Sequence, residues 1–264
     1  LGDQGRSLRG SERQRLGGRQ GHDLAGQQGL HLRGGDGRHL GRIQALQRAG
    51  IELAQRLRAV GVRPISNVVD VTNYVMFGYG RPAHAYDLAR LTGAVVARKA
   101  RAGESCLALN GKDYALEPWM TVIADDAGVH DIAGIMGGEH SGCADDTAAV
   151  LLEVAYFDPA SIARTGQALS LASDARGRFE RGVDPAFLDD AVAVLTGLIL
   201  DICGGEASHI VRAGTPPLAQ KTLAYDTGLC ARLGGVDVPA VQQKAILTSL
   251  GFAVSADWQV TVPT

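Results

Sequence analysis

At 264 residues, 45% of them hydrophobic, the chain is long enough to bury a core in one or two domains. A formal net charge of −2 gives no global attraction to nucleic acid, so any such contact has to come from local clusters. Cys106, Cys143, Cys203 and Cys230 lie far apart with no Cys-x-x-Cys pair, and no apolar run is long enough to span a bilayer. That points away from zinc, disulfide and membrane classes and toward a cytoplasmic protein.

Residues 1–42 are crowded with Gly, Arg and Gln, contain no Val and no aromatic residue, and set eight Arg against four acids. Such a segment buries too little apolar surface to offset the entropy of ordering it, so it reads as an unstructured or non-native arm. Order is expected from Ile43. Ile51, Leu53, Leu57 and Val60 recur at helical spacing ahead of Gly61. The run Ile65–Met76 is rich in β-branched residues, yet Val68, Val71, Thr72, Val75 and Met76 form a 3.6-period face behind Ser66 or Asn67, which favours a helix. Asp70 and Asp87 read as helix and turn stabilisers.

After Gly78–Pro82 breaks that element, a strand-rich region is expected: 94–97, a hairpin over 106–114 turning at Asn110-Gly111, 121–124, 129–135 and 148–157. Between the last two lies a turn with Gly134, Gly137, Gly138 and Gly142 around Glu139 and His140, a place where a ligand can approach backbone closely. Asp158-Pro159 opens a helix to about Ala168, and a loop over 169–174 leads to Arg176, Arg178, Glu180 and Arg181. Asp184-Pro185 starts a helix over 186–203. The expected class is α+β, a mixed or antiparallel sheet core with flanking helices over 43–214. After Pro216-Pro217, residues 217–264 read as a small, truncated α+β module: strand 223–225, helices 227–233 and 239–250, and a strand pair at 252–254 and 259–262. The chain is expected to be a fragment.

Five runs carry a resemblance: Pro-Ile-Ser-Asn-Val-Val-Asp-Val-Thr-Asn-Tyr-Val (64–75), Arg-Pro-Ala-His-Ala-Tyr-Asp (81–87), Gly-Ile-Met-Gly-Gly-Glu-His-Ser-Gly (134–142), Val-Leu-Leu-Glu-Val-Ala-Tyr-Phe (150–157) and Arg-Phe-Glu-Arg-Gly-Val-Asp-Pro (178–185). In this order and spacing they resemble the β subunit of bacterial phenylalanyl-tRNA synthetase. Five motifs in register are far more specific than one Gly-rich loop. The resemblance covers about 51–264 and implies a tRNA-editing domain followed by the start of a further small module.

Such a domain has a physical purpose. A pocket shaped for phenylalanine rejects tyrosine weakly, whereas a second site built to hydrogen-bond the phenol discriminates well, because phenylalanine leaves its polar groups unpaired. Hydrolysis of the misplaced ester then needs a positioned water and oxyanion donors more than a strong nucleophile. By resemblance, the pocket residues are His84, Glu153 as phenol acceptor, Gly137 as the close-approach wall, Thr72, Asn73, Ser173 and Ala175. Ser173 stands where Thr is usual, and Arg176 where Ser is usual. Arg176 and Arg181 are candidates for tRNA contact, while Arg178 and Glu180 read as structural. The resemblance implies no metal and no cofactor in this region, with ATP and Mg2+ serving the whole enzyme, and it implies an α-subunit partner (two α and two β chains) and tRNA(Phe). The competing reading is a non-catalytic tRNA-binding or subunit-scaffolding module of the same fold.

Overall fold

The computed structural model describes the backbone of residues 26–33 and 40–264, and side chains from residue 46 onward. The arm expected over 1–42 falls at 1–25 and 34–39 outside the described residues. Within it, β1 (Gly26–Arg33) is a strand, and α1 (Leu40–Ala59) begins before residue 43. The physical reason for the difference at β1 is pairing: its backbone is laddered on both edges, to β9 (Ala149–Tyr156) and to β10 (Glu206–Ala213). A ladder satisfies main-chain donors and acceptors whatever the side chains are.

The fold is α+β with antiparallel ladders throughout the described residues. Among the described side chains of α1, Leu53 and Leu57 are buried one turn apart, next to a buried Gly50, while Ile51 and Val60 are exposed, so the apolar stripe is narrower than the spacing suggests. The next helix, α2 (Asn67–Tyr79), wins over the strand alternative at 65–76. Ser66 Oγ accepts from Val69 N–H at 3.4 Å as N-cap, and Gly80 ends the helix at φ 68°, a left-handed conformation that suits glycine. The buried Asp70 carboxylate accepts from Ile65 N–H at 2.8 Å, tying the entry of the helix to its first turn.

Past Arg81-Pro82, β2 (His84–Asp87) pairs with β9 in one sheet, ordered β10-β1-β9-β2. A second sheet is built from β3 (Val96–Lys99), β6 (Thr121–Ala124), β7 (Val129–Ile132) and β8 (Met136–Gly137), with β4 (Ser105–Leu107) and β5 (Asp113–Ala115) forming the hairpin at Asn110-Gly111. Helices α3 (Pro159–Ala168), α4 (Asp174–Phe179) and α5 (Leu188–Cys203) follow. Sequence reading missed α4 and β10: Gly177 weakens the first, and β10 is short of buried residues. In the last part, β11 (Thr222–Ala224), β12 (Ala253–Val254) and β13 (Gln259–Thr261) make a sheet in the order β11-β13-β12, accompanied by α6 (Leu229–Gly234) and α7 (Ala240–Ser249).

Strand β9 is buried on both faces, and its period-2 alternation divides the core. Val150, Leu152 and Val154 join Ala85 of β2 and the apolar faces of α1, α2 and α5 in one cluster. Leu151 and Ala155 face the other way, with Tyr86, into a cluster that includes the second sheet, Phe157, Ile162 and Phe179. Glu153 shares the parity of Leu151 and Ala155, so a carboxylate occupies an inner-face position of a fully buried strand. Arg81, almost completely buried, donates to Ala155 O at 3.0 Å and to Asp184 O, clamping the end of β9 to the segment leading into α5. No helix among the described residues is long and apolar enough to cross a membrane.

Candidate functional site

His84 and Glu153 are directly opposed residues of the antiparallel β2–β9 pair. Opposed residues project to the same side of a sheet, so the ladder register alone puts imidazole and carboxylate side by side. They floor a cavity of about 80 Å³, several times the space a single water needs. The opposite wall comes from the second sheet, through Asp131, Ile132, Met136 and Gly137, and Phe157, Ala175 and Phe179 close it with apolar surface.

Gly137 is packed against the imidazole: a Cβ added there would stand 2.6 Å from His84 Cε1 and 2.9 Å from Leu109 Cδ1. Gly137 O accepts from Leu109 N–H at 2.9 Å, which holds this edge of the wall. His84 Nε2 is buried without a hydrogen bond to the described residues, and Asp131 Oδ2 is 3.8 Å away. A buried nitrogen of this kind facing a cavity is the sort of group a ligand or water completes.

Of the residues singled out in the sequence, His84, Gly137, Glu153 and Ala175 meet at this cavity, and Thr72, Asn73 and Ser173 are not among its lining. Thr72 is buried in α2 with its hydroxyl donating to Val69 O at 2.8 Å, and Asn73 is half-buried beside it. Ser173 caps α4, accepting from Arg176 N–H at 3.0 Å and donating to Ile135 O at 2.6 Å, so it anchors α4 to the turn between β7 and β8. The Arg176 guanidinium is committed to Leu171 O at 2.7 Å and Glu180 at 2.9 Å. Arg181 is exposed, near Glu180 at 3.4 Å. Arg178 donates to Asp174 O at 2.9 Å and lies over the Phe77 ring, a packing role.

Two residues at the site escaped the sequence reading. Tyr86, fully buried, brings its hydroxyl to Glu153 Oε2 at 2.7 Å and to Asp131 Oδ2. Asp131 in turn accepts from Gly138 N–H at 2.9 Å through Oδ1. Burial, reinforced by Asp131 and Glu153, raises the Tyr86 phenol well above its ordinary value, so it stays a protonated donor. A signal was present, because in a strand over 84–87 His84 and Tyr86 must share a face. Among the described residues no group of three or more His, Cys, Asp or Glu side chains could hold a metal ion.

Comparison with known proteins bears on this arrangement. Residues 37–204 match the model of the B3/4 domain family. A phenylalanine–tRNA ligase β subunit of Novosphingobium aromaticivorans is 74% identical over 212 residues, 80% of this chain and 27% of the relative. The corresponding subunit of Zymomonas mobilis is 51% identical over 211 residues, 80% and 27%. That of Paramagnetospirillum magneticum is 52% identical over 203 residues, 77% and 25%. The chain thus spans about a quarter of the length of these relatives. Among solved structures, an N-terminal fragment of the phenylalanyl-tRNA synthetase β subunit from Pyrococcus horikoshii covers 89% of this chain and 63% of its own, at 13% identity and a TM-score of 0.40, too low for the superposition to inform the site.

Proposed function

Because this chain belongs to the B3/4 domain family, we propose that its cavity is the editing site of a phenylalanine–tRNA ligase β subunit and hydrolyses tyrosine wrongly esterified to tRNA(Phe). The observation that carries the reading is the opposition of His84 and Glu153 across β2–β9 at the floor of a small cavity walled by Gly137. The Glu153 carboxylate is the acceptor for the substrate phenol. Phenylalanine offers it no hydrogen and leaves a buried polar group less well satisfied, which is the basis of selectivity. His84 Nε2, buried and without a hydrogen bond among the described residues, is the group that meets the ester end or the attacking water. Phe157, Phe179 and Ala175 receive the ring.

In this reading the whole subunit works with an α subunit, as two α and two β chains, to make Phe-tRNA from phenylalanine, ATP and tRNA in the cytoplasm. ATP and Mg2+ serve that ligation elsewhere in the enzyme. Arg181, exposed beside α4 while donating to Gly177 O, presents its guanidinium to solvent where the phosphate backbone of tRNA can reach it, whereas the half-buried Arg176 has a structural task. The test is release of tyrosine from Tyr-tRNA(Phe) by the α/β holoenzyme, wild type against Glu153→Ala. Wild type should outpace buffer and the variant should lose most of that excess. If wild type does not outpace buffer, the scaffolding alternative takes its place.

A further inference from the structure

The hydroxyl of Tyr86 joins two sheets that otherwise meet across the cavity. On one side it reaches Glu153 Oε2 in β9 at 2.7 Å, and on the other Asp131 Oδ2 in β7. Asp131 continues the chain to Gly138 N–H at 2.9 Å, next to Gly137. An unbroken series, Glu153, Tyr86, Asp131, Gly138, therefore runs from the floor carboxylate to the glycine wall. The Tyr86 ring also lies edge-on to His84, with centroids 4.5 Å apart and planes at 66°, so the same residue fixes the imidazole. Tyr86 does not line the cavity and cannot touch a ligand there.

We infer that Tyr86 is a positioning residue for tyrosine-against-phenylalanine selectivity: its hydroxyl orients the Glu153 carboxylate and sets that carboxylate's distance from the Gly137–Gly138 wall. The inference rests on the editing reading above. A phenol has one hydrogen, so it donates to one of the two carboxyl groups while its oxygen lies against the other. Sites that discriminate on one hydroxyl need their polar groups held by neighbours that are themselves locked by packing. Tyr86, closed off from solvent, meets that requirement.

The experiment compares the α/β holoenzyme with its Tyr86→Phe and Asp131→Asn variants. Hydrolysis of Tyr-tRNA(Phe) and Phe-tRNA(Phe) is measured as kcat and KM, alongside the thermal midpoint. Tyr86→Phe keeps the ring and deletes the bridge. Its ratio of tyrosyl to phenylalanyl hydrolysis should fall about tenfold to a hundredfold, the range expected for a hydrogen bond to a charged group. The loss should fall on kcat, since KM for tRNA is dominated by backbone contacts that the change leaves intact. Asp131→Asn, which alters the other anchor of the bridge, should lower the ratio in the same direction as Tyr86→Phe but by less. A merely structural role would lower the thermal midpoint and scale both hydrolyses together. A ratio unchanged in Tyr86→Phe, with Glu153→Ala inactive, overturns this inference alone. Absence of hydrolysis by wild type overturns the editing reading and this inference with it.

Discussion

The sharpest test of the cavity is Gly137→Ala. Gly137 sits in β8 outside the left-handed region, so alanine meets no backbone strain there. Its cost is steric: the new methyl would lie 2.6 Å from His84 Cε1, 2.9 Å from Leu109 Cδ1 and 3.3 Å from His84 Nε2. Carbon atoms pack at about 3.5–4.0 Å, so the imidazole has to retreat by about 1 Å. Leu109 is 49% exposed and can swing outward, which leaves His84, held between the wall and Tyr86, to absorb the rest. Overpacking of this kind costs about 1–3 kcal/mol of stability, and a misplacement of about 1 Å in a reacting constellation costs roughly a hundredfold in rate. In the holoenzyme, Gly137→Ala should retain its fold, lower the thermal midpoint by a few degrees, and reduce Tyr-tRNA(Phe) hydrolysis by one to two orders of magnitude, read by release of labelled tyrosine. Wild-type hydrolysis in a folded Gly137→Ala variant would refute the claim that this wall and this imidazole form the site.

Two further outcomes follow from charges and thiols away from the cavity. The Arg98 guanidinium, paired with Glu104 through bonds of 2.8 and 2.7 Å, holds the Glu104 carboxyl down to about 2. For Asp125, burial pushes upward, but amides of Thr92, Ala127 and Gly128 together with His130 prevail and bring it to about 2. Both folded values lie below the unfolded ones, so their stabilisation is present above about pH 4 and is lost as pH falls toward 2. Thermal midpoints recorded from pH 6 to pH 2 should drop in that window, and Arg98→Gln should flatten part of the drop; a midpoint indifferent to acid would contradict it. Burial, with Asp131 and Asp113 adding to it, pushes the Cys106 thiol up to about 12. Peptide mapping after iodoacetamide treatment at pH 8 should find Cys106 unmodified in the native chain and alkylated once it is unfolded; native alkylation would show that the pocket side opens more than this packing allows.

How far the fold could be read in advance depended on how local its causes are. Ser66 capping α2 and Asp158-Pro159 opening α3 are satisfied within a few residues of chain, and both appear where sequence places them. The strand expected over 148–157 is found at 149–156, and each of its faces has its own apolar cluster. What escaped depended on distant partners. β1 lies in a segment whose composition argues for disorder, and its order comes from two ladders formed with strands more than a hundred residues away. The segment 84–87 is too short to declare itself, and becomes a strand through its pairing with β9. Helix α4 was hidden by Gly177, although Ser173 supplied its cap.

The site divides along the same line. His84, Gly137, Glu153 and Ala175 came from a resemblance between motifs, and the cavity brings the four together, while Thr72 hydrogen-bonds within α2 and Ser173 caps α4. Tyr86 lies inside the 81–87 run without a role assigned to it, and Asp131 lies in none of the five runs; they matter because a carboxylate at Glu153 is buried in the middle of a strand. Removing an ionised group from water is costly unless hydrogen bonds replace its hydration. A fold selected for stability alone would put Val or Leu at that inner-face position, as β9 does at Leu151. Retaining Glu153 there requires donors that are themselves buried and fixed, and Tyr86 supplies one. The phenol therefore helps the carboxylate to be tolerated in a buried strand, and placing the pair against a cavity instead of in a sealed core is what gives the carboxylate access to a ligand.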